Sequence, residues 1–199
     1  MRSAADAIQD RLRVAVAAER GHFRYESGHH GDLWLDLDRL LVDAARTRDL
    51  SAALAKRVAV CRANVVCGPL TGGAFIAQIV AAALGAGFVF ADRIVAEDAV
   101  HYRIPDGLRG VLRGRRVLLV DDAVNAGSAL LATWQDVLAC GAQPAGSACL
   151  LALGDAPTRI AAATGAPLHH LLALEHALWS PETCPLCAGG TPFGPAQSR

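Results

Sequence analysis

Apolar and polar positions alternate along this chain in two periods, and the switches between them mark out its elements. Over residues 3–20, Ala5, Ile8, Leu12 and Val16 recur at helical spacing and Gly21 follows as a C-cap residue, so a first helix is predicted. Residues 22–41 change to a short period. Gly28 and Gly31 punctuate it, and Leu33, Leu35 and Leu37 alternate with polar neighbours, which predicts a hairpin or a loop followed by a strand. Residues 46–62 are helical in period again. A β-prone run at 64–67 then stops at Gly68 and Pro69, a helix resumes over 75–84, Gly85 and Gly87 break it, and 88–91 is another short strand.

Between residues 92 and 115 the apolar period is lost among charges, Pro105 and glycines, which predicts an excursion longer than most connections. Beyond it the pattern gives a buried strand at 116–120, a helix at 125–139, a strand at 145–153 and a helix at 156–164. Strands alternating with helices in this order predict an α/β fold, an open, mostly parallel twisted sheet flanked by helices. A length of 199 residues, 53% of them apolar, suits one core and therefore a single domain over 1–199.

Nineteen basic and nineteen acidic side chains cancel, so no global field draws the chain to a nucleic-acid backbone or an anionic membrane. No apolar run reaches the roughly eighteen residues of a spanning helix, and the N-terminus lacks a basic segment leading into an apolar one. A soluble, cytoplasmic protein is expected. Cys61, Cys67, Cys140 and Cys149 sit in apolar stretches and read as reduced core residues. Lys56 is the only lysine, so cationic work falls to arginine or histidine.

The segment with the most chemistry is Val117-Leu118-Leu119-Val120-Asp121-Asp122-Ala123-Val124-Asn125-Ala126-Gly127-Ser128-Ala129. It reads as a hydrophobic strand, two adjacent acids, and small residues opening a helix. At the carboxyl end of a parallel strand a ligand reaches both the loop and the helix N-terminus, whose unpaired N–H groups and dipole attract phosphate. Gly127 and Ala126 allow close approach of the backbone, and Ser128 adds a hydroxyl. Two carboxylates repel a bare phosphate; accepting hydrogen bonds from a sugar diol, with magnesium nearby, suits them better. A second turn, Gly68-Pro69-Leu70-Thr71-Gly72-Gly73, follows a strand and precedes a helix, with glycines freeing N–H groups for an anion.

The thirteen-residue string resembles, almost position by position, the phosphoribosyl pyrophosphate motif of type I phosphoribosyltransferases. Within that family the similarity to orotate phosphoribosyltransferases extends over about residues 21–153. The resemblance implies that Asp121 and Asp122 are catalytic, contact the ribose hydroxyls and take part, directly or indirectly, in holding Mg2+. It implies that Ala123, Val124, Asn125, Ala126, Gly127, Ser128 and Ala129 complete the cradle for the sugar and its 5-phosphate. Leu70, Thr71, Gly72 and Gly73 resemble the pyrophosphate loop. Gly21-His22-Phe23-Arg24-Tyr25-Glu26-Ser27-Gly28 and the following Trp34-Leu35-Asp36 resemble the turn near the base pocket, which makes Ser27, Gly28 and Asn125 base-binding candidates. An N-terminal hood over about 1–40, a flexible loop over about 92–115 and a homodimer follow from the same resemblance, while a tail over about 179–199 is marked by its Pro and Gly content.

The chain departs from the pattern in its loop, where the family carries a lysine and often a histidine. Ala91-Asp92-Arg93 resembles the acid-arginine pair that opens this loop, so Arg93 is expected at the pyrophosphate. Deeper in, His101, Tyr102, Arg103 and Arg109 are the replacements, with His101 the group able to give up a proton and Arg103 able to clamp pyrophosphate. Asn125 stands where the family has threonine. The arginine expected after the next strand is replaced around Leu153-Gly154-Asp155, which puts orotate itself in question. Other readings are a transferase for a purine or specialised acceptor, and a non-catalytic phosphoribosyl pyrophosphate sensor acting through protein partners. In the tail, Cys184-Pro185-Leu186-Cys187 offers half a zinc site, with His169, His170 and His176 as the nearest candidate ligands in sequence.

Overall fold

In the computed structural model, which describes residues 4–16, 18–25, 27–96 and 99–194, the apolar runs of the sequence line up as one twisted sheet. Its parallel strands are β3 (Val65–Pro69), β4 (Gly87–Ala96), β6 (Arg116–Val124), β7 (Gln143–Leu153) and β8 (Leu168–Leu174), and β5 (Ala99–Arg103) runs antiparallel to β4 at one edge. The order across this six-stranded sheet is β5-β4-β3-β6-β7-β8. Because successive strand residues point to opposite faces, each buried strand feeds two cores. Val66, Leu118, Val120 and Leu150 pack with Leu40 of α2 (Asp38–Val42), Leu50 and Leu54 of α3 (Ala44–Val58), Ile76 and Val80 of α4 (Gly72–Leu84) and Leu12 of α1 (Ala4–Ala15). Val65, Cys67, Val117, Leu119 and Cys149 pack on the other face with Leu130, Trp134 and Val137 of α6 (Ser128–Ala139) and Ile160 of α7 (Ala156–Thr164).

A second, three-stranded sheet covers one end of this body. Its order is β1-β2-β9, with β1 (Ala18–Arg24), β2 (His30–Leu35) and the two-residue β9 (Leu178–Trp179) all antiparallel. After β9 the tail makes a short helix, α8 (Pro185–Ala188). No helix among the described residues is long and apolar enough to cross a membrane.

Two expectations change. The first helix ends at Ala15 and the chain is already a strand at Ala18; pairing of Ala18, Glu19 and Arg20 with Leu35, Trp34 and Leu33 overrides the helical spacing there, and Gly21 lies inside β1. Residues 92–115 are not an irregular excursion among those described. They continue β4, return as β5 and form α5 (Asp106–Leu112), although Glu97 and Asp98 lie outside the described residues.

Candidate active site

In the sheet order, β3 continues to β4 on one side while β6 lies on its other side, so the direction of winding reverses between β3 and β6. Such a reversal opens a crevice at the carboxyl ends of the two strands. The turn Leu70-Thr71 after β3, running into the Gly72-Gly73 start of α4, and the segment from Asp121 to Ala129 lie there. All of these residues line one cavity of 1280 Å³. The Leu70–Thr71 peptide is cis.

The two acids sit at different depths. Asp121 is buried, and its Oδ1 accepts a hydrogen bond from the Asp122 N–H at 2.9 Å. Asp122 is half-buried, and its Oδ1 accepts from the Ala123 N–H at 2.7 Å. Burial, then the neighbouring Asp122 charge, pushes the Asp121 carboxyl well above the usual carboxylate range. Both carboxylates press on the glycine turn: a Cβ on Gly72 would stand 1.9 Å from Asp122 Oδ2, and one on Gly73 2.5 Å from Asp121 Oδ1. Gly127 caps α6 with φ +83°, and an added Cβ would strike Ile160 at 2.6 Å. Oxygen donors facing one cavity, carrying charge that repels itself, are the donor type a hard divalent cation takes, so Asp121 and Asp122 fit Mg2+.

The hairpin of β4 and β5 supplies one wall. Arg93 and Tyr102 are cross-strand partners and both line the cavity. Burial, then the Asp121 charge, raises the Tyr102 hydroxyl, while hydrogen bonding to Arg93 opposes the rise. His101 and Arg103, on either side of Tyr102, are exposed and outside the cavity lining; Arg103 pairs instead with Asp106 at 2.8 Å. Ser27 lines the cavity but Gly28 does not. Asn125 lines it too.

The sequence placed Arg24, Tyr25 and Trp34 within the segments that resemble the base-pocket turn but singled out only Ser27 and Gly28 there; all three line the cavity. Tyr25 stacks on Trp34 with ring centroids 6.5 Å apart, and its hydroxyl, pushed up to about 12 by burial, donates to the Leu33 carbonyl. Sequence reasoning left out Arg159. From α7 it reaches back so that Nη2 donates to the Asn125 carbonyl at 2.6 Å, while Arg159 Nε and Asn125 Oδ1 are buried without a protein partner. Arg159 Nη1 also pairs with Asp155, and Arg159 is not among the residues lining the cavity, so it braces Asn125 from behind.

Comparison with known proteins matches residues 43–163 to the model of the phosphoribosyl transferase domain. The chain belongs to this family. The phosphoribosyltransferase is 30% identical over 195 residues to the orotate phosphoribosyltransferase of Heliobacterium modesticaldum, covering 94% of each chain. Among solved structures it is similar to adenine phosphoribosyltransferase from Thermoanaerobacter pseudethanolicus (TM-score 0.67, 20% identity, 83% of this chain and 99% of that one). It is also similar to orotate phosphoribosyltransferase from Aeropyrum pernix (TM-score 0.63, 22% identity, 86% and 94%). The fold is therefore shared by enzymes named for a purine and for a pyrimidine, whereas the likeness over the full sequence is to the orotate enzymes.

Proposed function

We propose that this phosphoribosyltransferase moves the 5-phosphoribosyl unit of phosphoribosyl pyrophosphate to a ring nitrogen of orotate, releasing pyrophosphate in pyrimidine nucleotide synthesis. The observation that carries this reading is the placement of Asp121 and Asp122 against the Gly72-Gly73 turn at the point where the sheet reverses. Backbone N–H groups from Asn125 to Ala129, at the positive end of α6, bind the 5-phosphate. Asp122, with Asp121 behind it, accepts hydrogen bonds from the ribose hydroxyls. The turn from Leu70 to Gly73 and the Arg93 guanidinium hold the pyrophosphate and take up its charge as the bond to C1 lengthens. Mg2+ bound with the substrate would add charge neutralisation to the leaving group, with Asp121 and Asp122 as its protein-side donors.

The hood orients the base. Tyr25 and Trp34 offer flat apolar surface, and Arg24 supplies a positive charge for a carboxylate on the ring. Arg159 acts one step back: Nη2 holds the Asn125 carbonyl while Nη1 pairs with Asp155, which fixes the loop beside the base. Reaction in a cleft closed by hood and hairpin excludes water, which otherwise intercepts the activated sugar. Exposed Ile94, Val95 and Val100 on the hairpin support a homodimer in which this ribbon packs on a second copy. The absence of lysine from 92–115, with His101 and Arg103 outside the cavity, favours one other reading, a cytoplasmic sensor that binds the activated sugar without turning it over.

Pyrophosphate release with Mg2+, phosphoribosyl pyrophosphate and a panel of bases tests both. Turnover with orotate, lost in Asp122→Asn, is expected. Turnover with a purine alone overturns the choice of acceptor, and sugar binding without turnover on any base leaves the sensor.

A further inference from the structure

Away from the sugar cleft, four side chains that the transfer reaction does not use meet between the first hairpin and the tail. His22 comes from β1, His30 from β2, and Cys184 and Cys187 from the cap and body of α8. Their donor atoms all lie within 4.8 Å of one another. Cys187 Sγ is 3.2 Å from His30 Nδ1 and 3.6 Å from His22 Nε2, and Cys184 Sγ is 3.4 Å from His22 Nε2. A tetrahedral zinc ion, with bonds of about 2.3 Å to sulfur and 2.0–2.1 Å to nitrogen, sets its sulfur and nitrogen ligands roughly 3.5 Å apart. Three of the four sulfur–nitrogen pairs already hold that spacing.

The surroundings fit a ligand set more closely than a chance meeting of side chains. The other ring nitrogen of His22, Nδ1, lies 2.8 Å from the Thr191 carbonyl; donating there fixes the tautomer and leaves the Nε2 lone pair aimed into the cluster. The chain that carries Thr191 is itself folded around the cysteines, with the Thr191 N–H donating to Leu186 O at 2.9 Å and the Gly190 N–H to Cys187 O at 3.0 Å. Phe193 lies over both imidazoles, with ring centroids 4.0 Å from His22 and 4.9 Å from His30, and the Gly194 N–H donates to His22 O at 2.8 Å. His22, His30 and Cys184 are buried, so water has little access.

We infer that His22, His30, Cys184 and Cys187 form a closed tetrahedral zinc site that fastens the tail to the β1–β2 hairpin. Binding releases one proton from each thiol; two thiolates and two neutral imidazoles then balance the dipositive ion, which makes a buried site tolerable. With four protein ligands no position is open for substrate, so the ion is structural. The tail histidines nearest in sequence are not ligands. His169 faces Cys61 at 3.7 Å, His170 Nδ1 lies by the Leu168 carbonyl, and His176 pairs with Asp32 at 3.1 Å.

The test is elemental analysis of the full chain, produced without a metal-binding tag in zinc-supplemented medium, together with its intact mass under non-reducing conditions. Close to one zinc per chain is expected, falling in Cys187→Ser and His30→Gln and kept in His169→Asn and His170→Asn. Cobalt in place of zinc is expected to give the visible bands of a tetrahedral ion with thiolate charge transfer. Wild-type protein that carries almost no zinc and takes up none when it is supplied overturns the inference, with no need for any variant to fold. A mass two hydrogens short, locating a Cys184–Cys187 disulfide, overturns it equally.

Discussion

Gly72 and Gly73 leave no room for a methyl group, because the oxygens of Asp122 and Asp121 stand 1.9 Å and 2.5 Å from where it would go. Both acids press against backbone, so a substitution here has to move a carboxylate or open the turn. Gly73→Ala is expected to weaken phosphoribosyl pyrophosphate binding at least about tenfold, or 1.4 kcal/mol, in calorimetric titration while the chain stays folded. Unchanged affinity would mean that the acids and the turn do not act as one cup. On the hairpin, Tyr102 reaches the cavity and its neighbours do not. Tyr102→Phe is expected to raise KM for the sugar by about two- to tenfold, the worth of one hydrogen bond, and His101→Ala to leave it unchanged. The opposite ranking in steady-state kinetics would mean that the ribbon turns its other face to the substrate. His101 drew attention in the sequence as the ionisable residue of a lysine-free stretch, but alternation along a strand decides which side chain faces inward. That alternation was hidden while 92–115 read as irregular.

At the scale of elements, period identified what packing supports on both sides. The runs at 116–120 and 145–153 became β6 and β7 because both of their faces are buried, and the helix expected at 156–164 is α7 with the same ends, anchored by Ala156 and Ile160. Elements at edges were harder to see. The strand β8 carries His169 and His170 within an otherwise apolar run, and this polar pair masks a parallel strand that has a partner on one side only. His169 also predicts a pH effect. Burial, then the Arg57 and His170 charges, lowers its pKa in the fold, so the folded chain prefers the neutral ring. A base whose folded pKa is depressed contributes stability that is complete above its unfolded value near 6.5 and declines as pH falls below it. The melting temperature is expected to drop between about pH 7 and pH 5, and His169→Asn to flatten that drop. Equal slopes for the two proteins would assign the titration to other groups.

Across the whole molecule, the two sheets bring together segments far apart in the chain. The acidic turn and the glycine turn were legible in the sequence because each is a contiguous string with its own local chemistry. The base wall and the metal cluster were legible only in part, as the turn around Ser27 and as the pair Cys184 and Cys187 without its histidines. His22 and Cys184 lie 162 positions apart, and only the return of the tail along β2 brings them within reach. Arg24 and Tyr25 of the hood follow two and three positions after His22, so the cluster and the base wall share a strand and the turn after it. If both the proposed activity and the zinc site hold, removing zinc with a chelator is expected to raise KM for the base several-fold and to leave affinity for the sugar nearly intact. Parallel loss of both would point to general unfolding instead.

One ion pair bears on how the cleft closes. Asp136, in the last turn of α6, accepts from Arg109 Nη1 at 2.8 Å and from the Ile104 N–H at 2.7 Å, which rivets the foot of the ribbon to the helix whose first turn lines the cavity. Ribbon root and anion seat therefore ride on one stiff rod of twelve residues, about 18 Å long. If the proposed reaction calls for the ribbon to close over the sugar, the part left to move is the stretch of five paired rungs from Asp92–Arg103 outward, above that rivet.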